Sequence, residues 1–263
     1  MDAPLDERRL GELLHYHGLE PASAVLHALE PGWQVALDPQ RPLYPASMIK
    51  TPLAAAALGI ADERGAGRPE RLAVTQANMT YNDAPSPLVP GYSATVTEVC
   101  ELAISRSDNV ATNMLFDAAD RDRATRYAQE RLGLRNTAFY RKLSGSDPLI
   151  NDPGWDGVHH NSHPAGDAAR MFELIALDRV AHSDLLRGAL AHQYWNDKLS
   201  KGLREGDTFA HKTGDTSDVT HDGGILTTNE GRTYVIVVYT GLGATEANNA
   251  RFGPFMRDLR VFL

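Results

Sequence analysis

Ser47 and Lys50 stand three residues apart at the start of a small apolar run, Leu53-Ala54-Ala55-Ala56-Ala57-Leu58. That run reads as a buried helix, and residues three apart on a helix share a face. The pair therefore sits side by side at a helix N-terminus, where backbone N–H groups and the helix dipole favour developing negative charge. A serine becomes a nucleophile when a base takes its proton. A lysine can be that base if burial lowers its pKa from about 10.4. Two more short motifs follow: Ser107-Asp108-Asn109, and Lys212-Thr213-Gly214. Taken singly, each is also what a helix cap or a surface lysine looks like. Together they occur in order, with Ser107 60 residues and Lys212 165 residues after Ser47. They also fall at a helix start, an interhelical turn and a strand.

The elements that must position them follow from periodicity. Leu5 to His17 predicts an amphipathic helix. Ala22–Leu29 and Trp33–Leu37 predict two strands around the turn Glu30-Pro31-Gly32. The helix after Ser47 ends between Gly59 and Gly67. Residues 71–97 read mostly as loop. Helices are expected at Val96–Ser105, Ala111–Ala119, Arg121–Leu132, Pro164–Leu177 and Leu185–Tyr194. Between them, 136–163 is a long irregular segment, and such segments are usually functional. Three strands follow, at about 208–213, 222–229 and 233–240, then a helix from Asn248 to Leu263. Strands at both ends of the chain with helices between them predict an α+β fold: an antiparallel five-stranded sheet covered by the terminal helices. The sheet domain is expected to be discontinuous, residues 1–45 and 200–263, with 46–199 an inserted all-helical domain and the active site between them.

With 263 residues, 42% of them hydrophobic, the chain can bury a substantial core. A net charge of -8 argues against a nucleic-acid partner. The apolar runs are too short, and too rich in Ala and Gly, to span a bilayer. The single cysteine, Cys100, excludes an internal disulfide and reads as a small core residue. The N-terminus lacks the basic and apolar regions of a signal peptide. His159, His160 and His163 have no nearby cysteine and read as part of a polar loop.

The three motifs make the sequence resemble the class A β-lactamases and related serine penicillin-recognising enzymes, for which the same motif set is known. The resemblance runs from about Ala24 to the C-terminus and is strongest from Ala94 to Phe116. It implies a β-lactamase-like fold, no cofactor or metal, and a β-lactam or peptidoglycan-like substrate. It further implies a monomer in the periplasm or outside the cell, although the sequence is equally compatible with the cytoplasm. By motif, Ser47 is the acylated nucleophile and Lys50 holds or takes its proton. Ser107 relays a proton to the leaving nitrogen, and Asn109 hydrogen-bonds the substrate amide. Lys212 supplies positive potential, Thr213 binds the substrate carboxylate, and Gly214 completes the motif. The backbone N–H groups of Ser47 and Asp215 form the oxyanion hole.

Two departures matter. The family carries a glutamate in an E-P-x-x-N pattern in its long loop, to activate the water that cleaves the acyl-enzyme. Here there is no glutamate between Glu130 and Glu173. Asp147-Pro148-Leu149-Ile150-Asn151 resembles the pattern with Asp in place of Glu, which makes Asp147 the candidate base and Asn151 a candidate substrate-binding residue. Asp147 also reads as the start of a Ser-Asp-Pro turn. The family's carboxylate-binding arginine is missing near Val219-Thr220-His221-Asp222, and Arg251 is the candidate replacement, or a surface arginine. The leading expectation is a serine β-lactamase acting through a Ser47 acyl-enzyme. The alternative is a penicillin-binding D-Ala-D-Ala carboxypeptidase or esterase that releases β-lactams slowly. A third is a catalytically silent binding domain.

Overall fold

The computed structural model describes residues 5–30, 32–65, 71–145 and 148–263. The chain opens with α1 (Glu7–Tyr16), capped by Asp6, whose carboxylate accepts from the Arg9 N–H. β1 (Ala22–Ala28) and β2 (Gln34–Leu37) form a hairpin. A 3₁₀ turn, Ala46–Ile49, leads into α2 (Lys50–Glu63). Two short strands, β3 (Arg71–Ala73) and β4 (Ser93–Thr95), pair as a separate small sheet. Then come α3 (Val96–Ser105), α4 (Asn109–Ala119) and α5 (Arg121–Arg126), continued by a π turn through Arg131. After the long loop, α6 (Ala165–Ala176) and α7 (Ser183–Ala191) close the helical block. β5 (Thr208–Asp215), β6 (Thr220–Thr227) and β7 (Thr233–Thr240) follow, then α8 (Glu246–Asn249) and α9 (Phe252–Leu259).

The main sheet is five-stranded and antiparallel, in the order β2-β1-β7-β6-β5. Its middle strand β7 carries β-branched and aromatic residues that alternate between faces. Val235, Val237 and Tyr239 join the core beneath the helical block, whereas Tyr234, Ile236 and Val238 join the core beneath α1 and α9. The sheet is thus covered on both faces, and the α+β architecture expected from strand order, an antiparallel five-stranded sheet with helices packed on it, is the one observed.

α2 is buried on all sides, from Lys50 to Ile60. Its alanines let α3 and α4 approach closely, and a Cβ at Gly59 would lie 1.9 Å from the Tyr127 hydroxyl. Residues 71–97 are mostly loop, as expected, with two three-residue strands too short to give a period-2 signal. Three expectations are corrected. The helix expected to run to Tyr194 ends at Ala191. The 222–229 strand starts two residues earlier and ends at Thr227. The single C-terminal helix is two helices and a 3₁₀ turn, interrupted at Ala250 and Arg251.

Candidate functional site

Ser47 lies in the 3₁₀ turn that opens α2, and its carbonyl accepts the Lys50 N–H. The preceding residue, Ala46, is held at φ 47°, a left-handed conformation that non-glycine residues rarely adopt. Ser107 is likewise left-handed, at φ 57°. It forms the turn between α3 and α4, where the Asp108 carboxylate caps α4 by accepting from the Ala111 N–H at 2.9 Å. Strain at these two serine-bearing turns is what over-determined functional positions show.

Lys50 joins the turns. Its side chain is fully buried, and Nζ donates to the Ser107 carbonyl at 2.5 Å, to Asn109 Oδ1 at 2.7 Å and to Ser107 Oγ at 3.1 Å. Burial lowers its pKa to about 7, although Asp108 and Asp83 pull the other way. Among the described residues, Ser47 Oγ makes no hydrogen bond. Asn109 is fixed from three sides: Nδ2 donates to the Tyr81 carbonyl at 3.0 Å, its backbone N–H donates to Asn82 Oδ1 at 2.5 Å, and Oδ1 accepts Lys50.

β5 is the free edge of the sheet and supplies the opposite wall. Thr216 N–H donates to the Val219 carbonyl, so 216 and 219 are a hydrogen-bonded pair. Antiparallel alternation then turns the backbone groups of His211, Thr213 and Asp215 towards the open edge. Two of those carbonyls are occupied: Gln193 Nε2 donates to His211 O at 3.0 Å, and Lys212 Nζ to Thr213 O at 2.8 Å. The Asp215 N–H faces the cleft beside Ser47. Lys212 is fully buried, and its pKa lies well below the ordinary lysine value, first through burial and then through Lys50.

Gly214 lets this wall approach. A Cβ there would lie 3.0 Å from the Pro45 carbonyl and 3.1 Å from Met48 Cγ. Gly214→Val is therefore expected to push β5 off the Ser47 turn and lower the acylation rate by about 10²-fold, since an ångström of misplacement costs that much. Acylation kinetics beside a circular-dichroism check of the fold would test this.

Ser47, Ser107, Asn109 and Asp215 line one cavity of about 1030 Å³. Lys50, Lys212, Thr213 and Gly214 are buried directly behind them. Described residues of the long loop form the third wall, among them Arg141, Leu143, Leu149 and His160. Asn113 on α4 fixes Leu143: Leu143 N–H donates to Asn113 Oδ1 at 2.8 Å, and Asn113 Nδ2 donates to Leu143 O at 2.9 Å. The crossing beside it is tight, because a Cβ at Gly145 would lie 2.0 Å from the Tyr81 carbonyl. Asp147 lies outside the described residues. Asn151 is exposed and is not part of the cavity wall.

Arg251 points away, with Nη1 donating to the Gly18 carbonyl at 2.5 Å. A cation that sequence reasoning missed lies behind Asp215 instead. Lys198 is fully buried; Nζ donates to Asp215 Oδ1 at 2.6 Å and to the His221 carbonyl at 3.0 Å. A lysine in Asn196-Asp197-Lys198 reads as surface, and nothing local signals its burial. His221 is buried, and burial lowers its pKa to about 4. Its Nδ1 accepts from the Thr240 N–H while Nε2 donates to the Tyr44 carbonyl, an arrangement that suits a neutral ring. No group of metal-binding side chains is found among the described residues, and no helix there is long and apolar enough to cross a membrane.

The sequence model of the β-lactamase enzyme family matches residues 7–254. A β-lactamase of Streptomyces albus G is 27% identical over 227 residues, covering 82% of this chain and 70% of that one. Among solved structures, PBP-A superposes with a TM-score of 0.80 at 24% identity, over 98% of this chain and 97% of its own. A leucine-to-glutamate variant of PBP-A, described as an acyl-enzyme complex with penicillin G, superposes at 0.78 and 24% identity, over 100% and 98%. The match spans the sheet, the helical block and all three motif turns, so this chain belongs to the β-lactamase enzyme family.

Proposed function

We propose that the chain is a serine hydrolase that opens β-lactams through a Ser47 acyl-enzyme and releases the acyl group slowly, as a penicillin-recognising peptidase or esterase does. The observation that carries the first half is Lys50. A fully buried amine with a pKa of about 7 is about half free base at neutral pH, and increasingly so above it. The neutral amine has two N–H donors and one lone pair, so it can keep two of its three contacts and accept a proton. In the acylation step Ser47 Oγ attacks the lactam carbonyl and its proton passes to Lys50. The oxyanion is stabilised by the N–H groups of Ser47 and Asp215. Ser107 Oγ–H then protonates the departing nitrogen as the ring C–N bond breaks, and Lys50 returns the proton to Ser107. Lys212 and Thr213 take the substrate carboxylate. An entering carboxylate favours the charged form of Lys212, so binding and protonation at this lysine are linked.

The second half rests on Leu143. The loop residue that Asn113 presents to the cavity is apolar and cannot activate water. In PBP-A, a leucine-to-glutamate variant is described as an acyl-enzyme complex with penicillin G. Fast β-lactam turnover with Asp147 as base is the second reading, carried by the Asp147-Pro148-Leu149-Ile150-Asn151 pattern. We place the site between a sheet body, 1–45 and 200–263, and a helical body, 46–199.

The test is to follow a chromogenic cephalosporin, benzylpenicillin and an acyl-D-Ala-D-Ala peptide with intact-protein mass in parallel. Slow release predicts stoichiometric acylation, a long-lived adduct and little β-lactam turnover. Rapid turnover lost in Asp147→Ala, with an adduct trapped in that variant, would establish the second reading instead.

A further inference from the structure

A cavity of about 1030 Å³ stands at the upper end of small-molecule sites, which span about 300–1,000 Å³. Room therefore remains beside a ring held at Ser47. Part of that room lies between Tyr44 and the far end of the long loop, where Arg141, His160 and Asn161 line the wall.

Arg141 is held there by design of its surroundings. Asn161 is buried, and its Oδ1 accepts both the Tyr140 and Arg141 N–H groups, at 2.7 and 3.0 Å. Its Nδ2 returns a bond to the Arg141 carbonyl at 2.9 Å. The guanidinium lies 4.6 Å from the Trp155 ring centroid, and Trp155 is itself fixed by Nε1 donating to the His159 carbonyl at 2.7 Å. The guanidinium's hydrogen bond within the protein is the Nε contact to Lys142 O, at 3.4 Å. No carboxylate among the described residues pairs with it. Its neighbours differ: Arg121 is paired with Asp152 and Lys142 with Asp117. A fixed guanidinium, stacked on an aromatic face and left without a counter-ion in a cavity wall, is arranged to receive a carboxylate. The acidic side chains of the cavity, Asp83, Asp215 and Asp218, stand on its other walls.

We propose that the cavity holds a second subsite, between Tyr44 and the wall formed by Arg141, His160 and Asn161, in which Arg141 binds an anionic end on the acyl arm of the substrate. This deepens the acyl-serine reading and rests on it. The substrate class is an acyl donor whose arm ends in a carboxylate. The net charge of -8 works against such substrates in general, so a preference for them reports a local cation.

The test uses derivatives of 6-aminopenicillanic acid in matched pairs: succinyl, glutaryl and adipyl arms against methyl-terminated arms of equal length. Second-order acylation of Ser47 is followed by intact mass on wild type, Arg141→Ala and Arg141→Lys. The proposal predicts that wild type takes the best anionic arm at least about 10-fold faster than its neutral counterpart, the size of one charge-assisted hydrogen bond. In Arg141→Ala that ratio falls towards one, whatever happens to the neutral rate. In Arg141→Lys part of it returns, and added salt erodes it. A ratio near one in wild type, or a preference that survives Arg141→Ala, overturns the subsite and leaves the acyl-serine reading standing. No acylation by any pair member or by benzylpenicillin overturns both.

Discussion

Replacing Lys50 by alanine is expected to slow acylation of Ser47 by about 10²–10⁴-fold, the contribution of a positioned general base. The same role fixes a pH profile. The free amine is the active form and its pKa lies near 7, so wild-type acylation falls as pH drops through that value and levels off above it. The variant loses this limb. Circular dichroism guards against a trivial result, because removing the amine leaves the half-buried Asn109 Oδ1 and Ser107 carbonyl without their donor. Rapid-quench mass spectrometry over pH 5–9 reads both effects. A wild-type profile flat through pH 7 would remove Lys50 from the role of base.

The second large effect lies in release. Leu143→Glu places a carboxylate on the one loop position that Asn113 holds against the cavity, with both backbone anchors independent of the side chain. Deacylation of the penicilloyl adduct is expected to accelerate by about 10²–10⁴-fold, turning a trapped enzyme into a turning-over one. Adduct lifetime by intact mass checks this. If Asp147 is already the working base, Leu143→Glu changes little and Asp147→Ala lengthens the lifetime instead.

These expectations divide along what the sequence could express. Ser47, Lys50, Ser107, Asn109 and Lys212 were legible because each is a polar residue at a recognisable spacing within or beside a periodic element. The five-stranded sheet was legible for a similar reason: strands such as Thr233–Thr240 carry strong β propensity. Leu143 was not legible. A leucine carries no chemical signal, and its place in the wall is set by Asn113 on α4 and by the Gly145 crossing over Tyr81, contacts 30 and more residues apart. Asp147 is a candidate base from its local pattern alone, and it lies outside the described residues. The positions of Lys198, for which no role was expected, and of Arg251, the candidate carboxylate-binding cation, have a tertiary reason. One is swallowed beneath Asp215, and the other is drawn to the Gly18 carbonyl.

The central claim is a covalent intermediate on Ser47, and intact-protein mass after exposure to benzylpenicillin tests it most directly. The account predicts one added penicillin per wild-type chain, persisting after the free drug is removed, and none on Ser47→Ala. An adduct that survives Ser47→Ala, or neither adduct nor turnover on wild type, would contradict it.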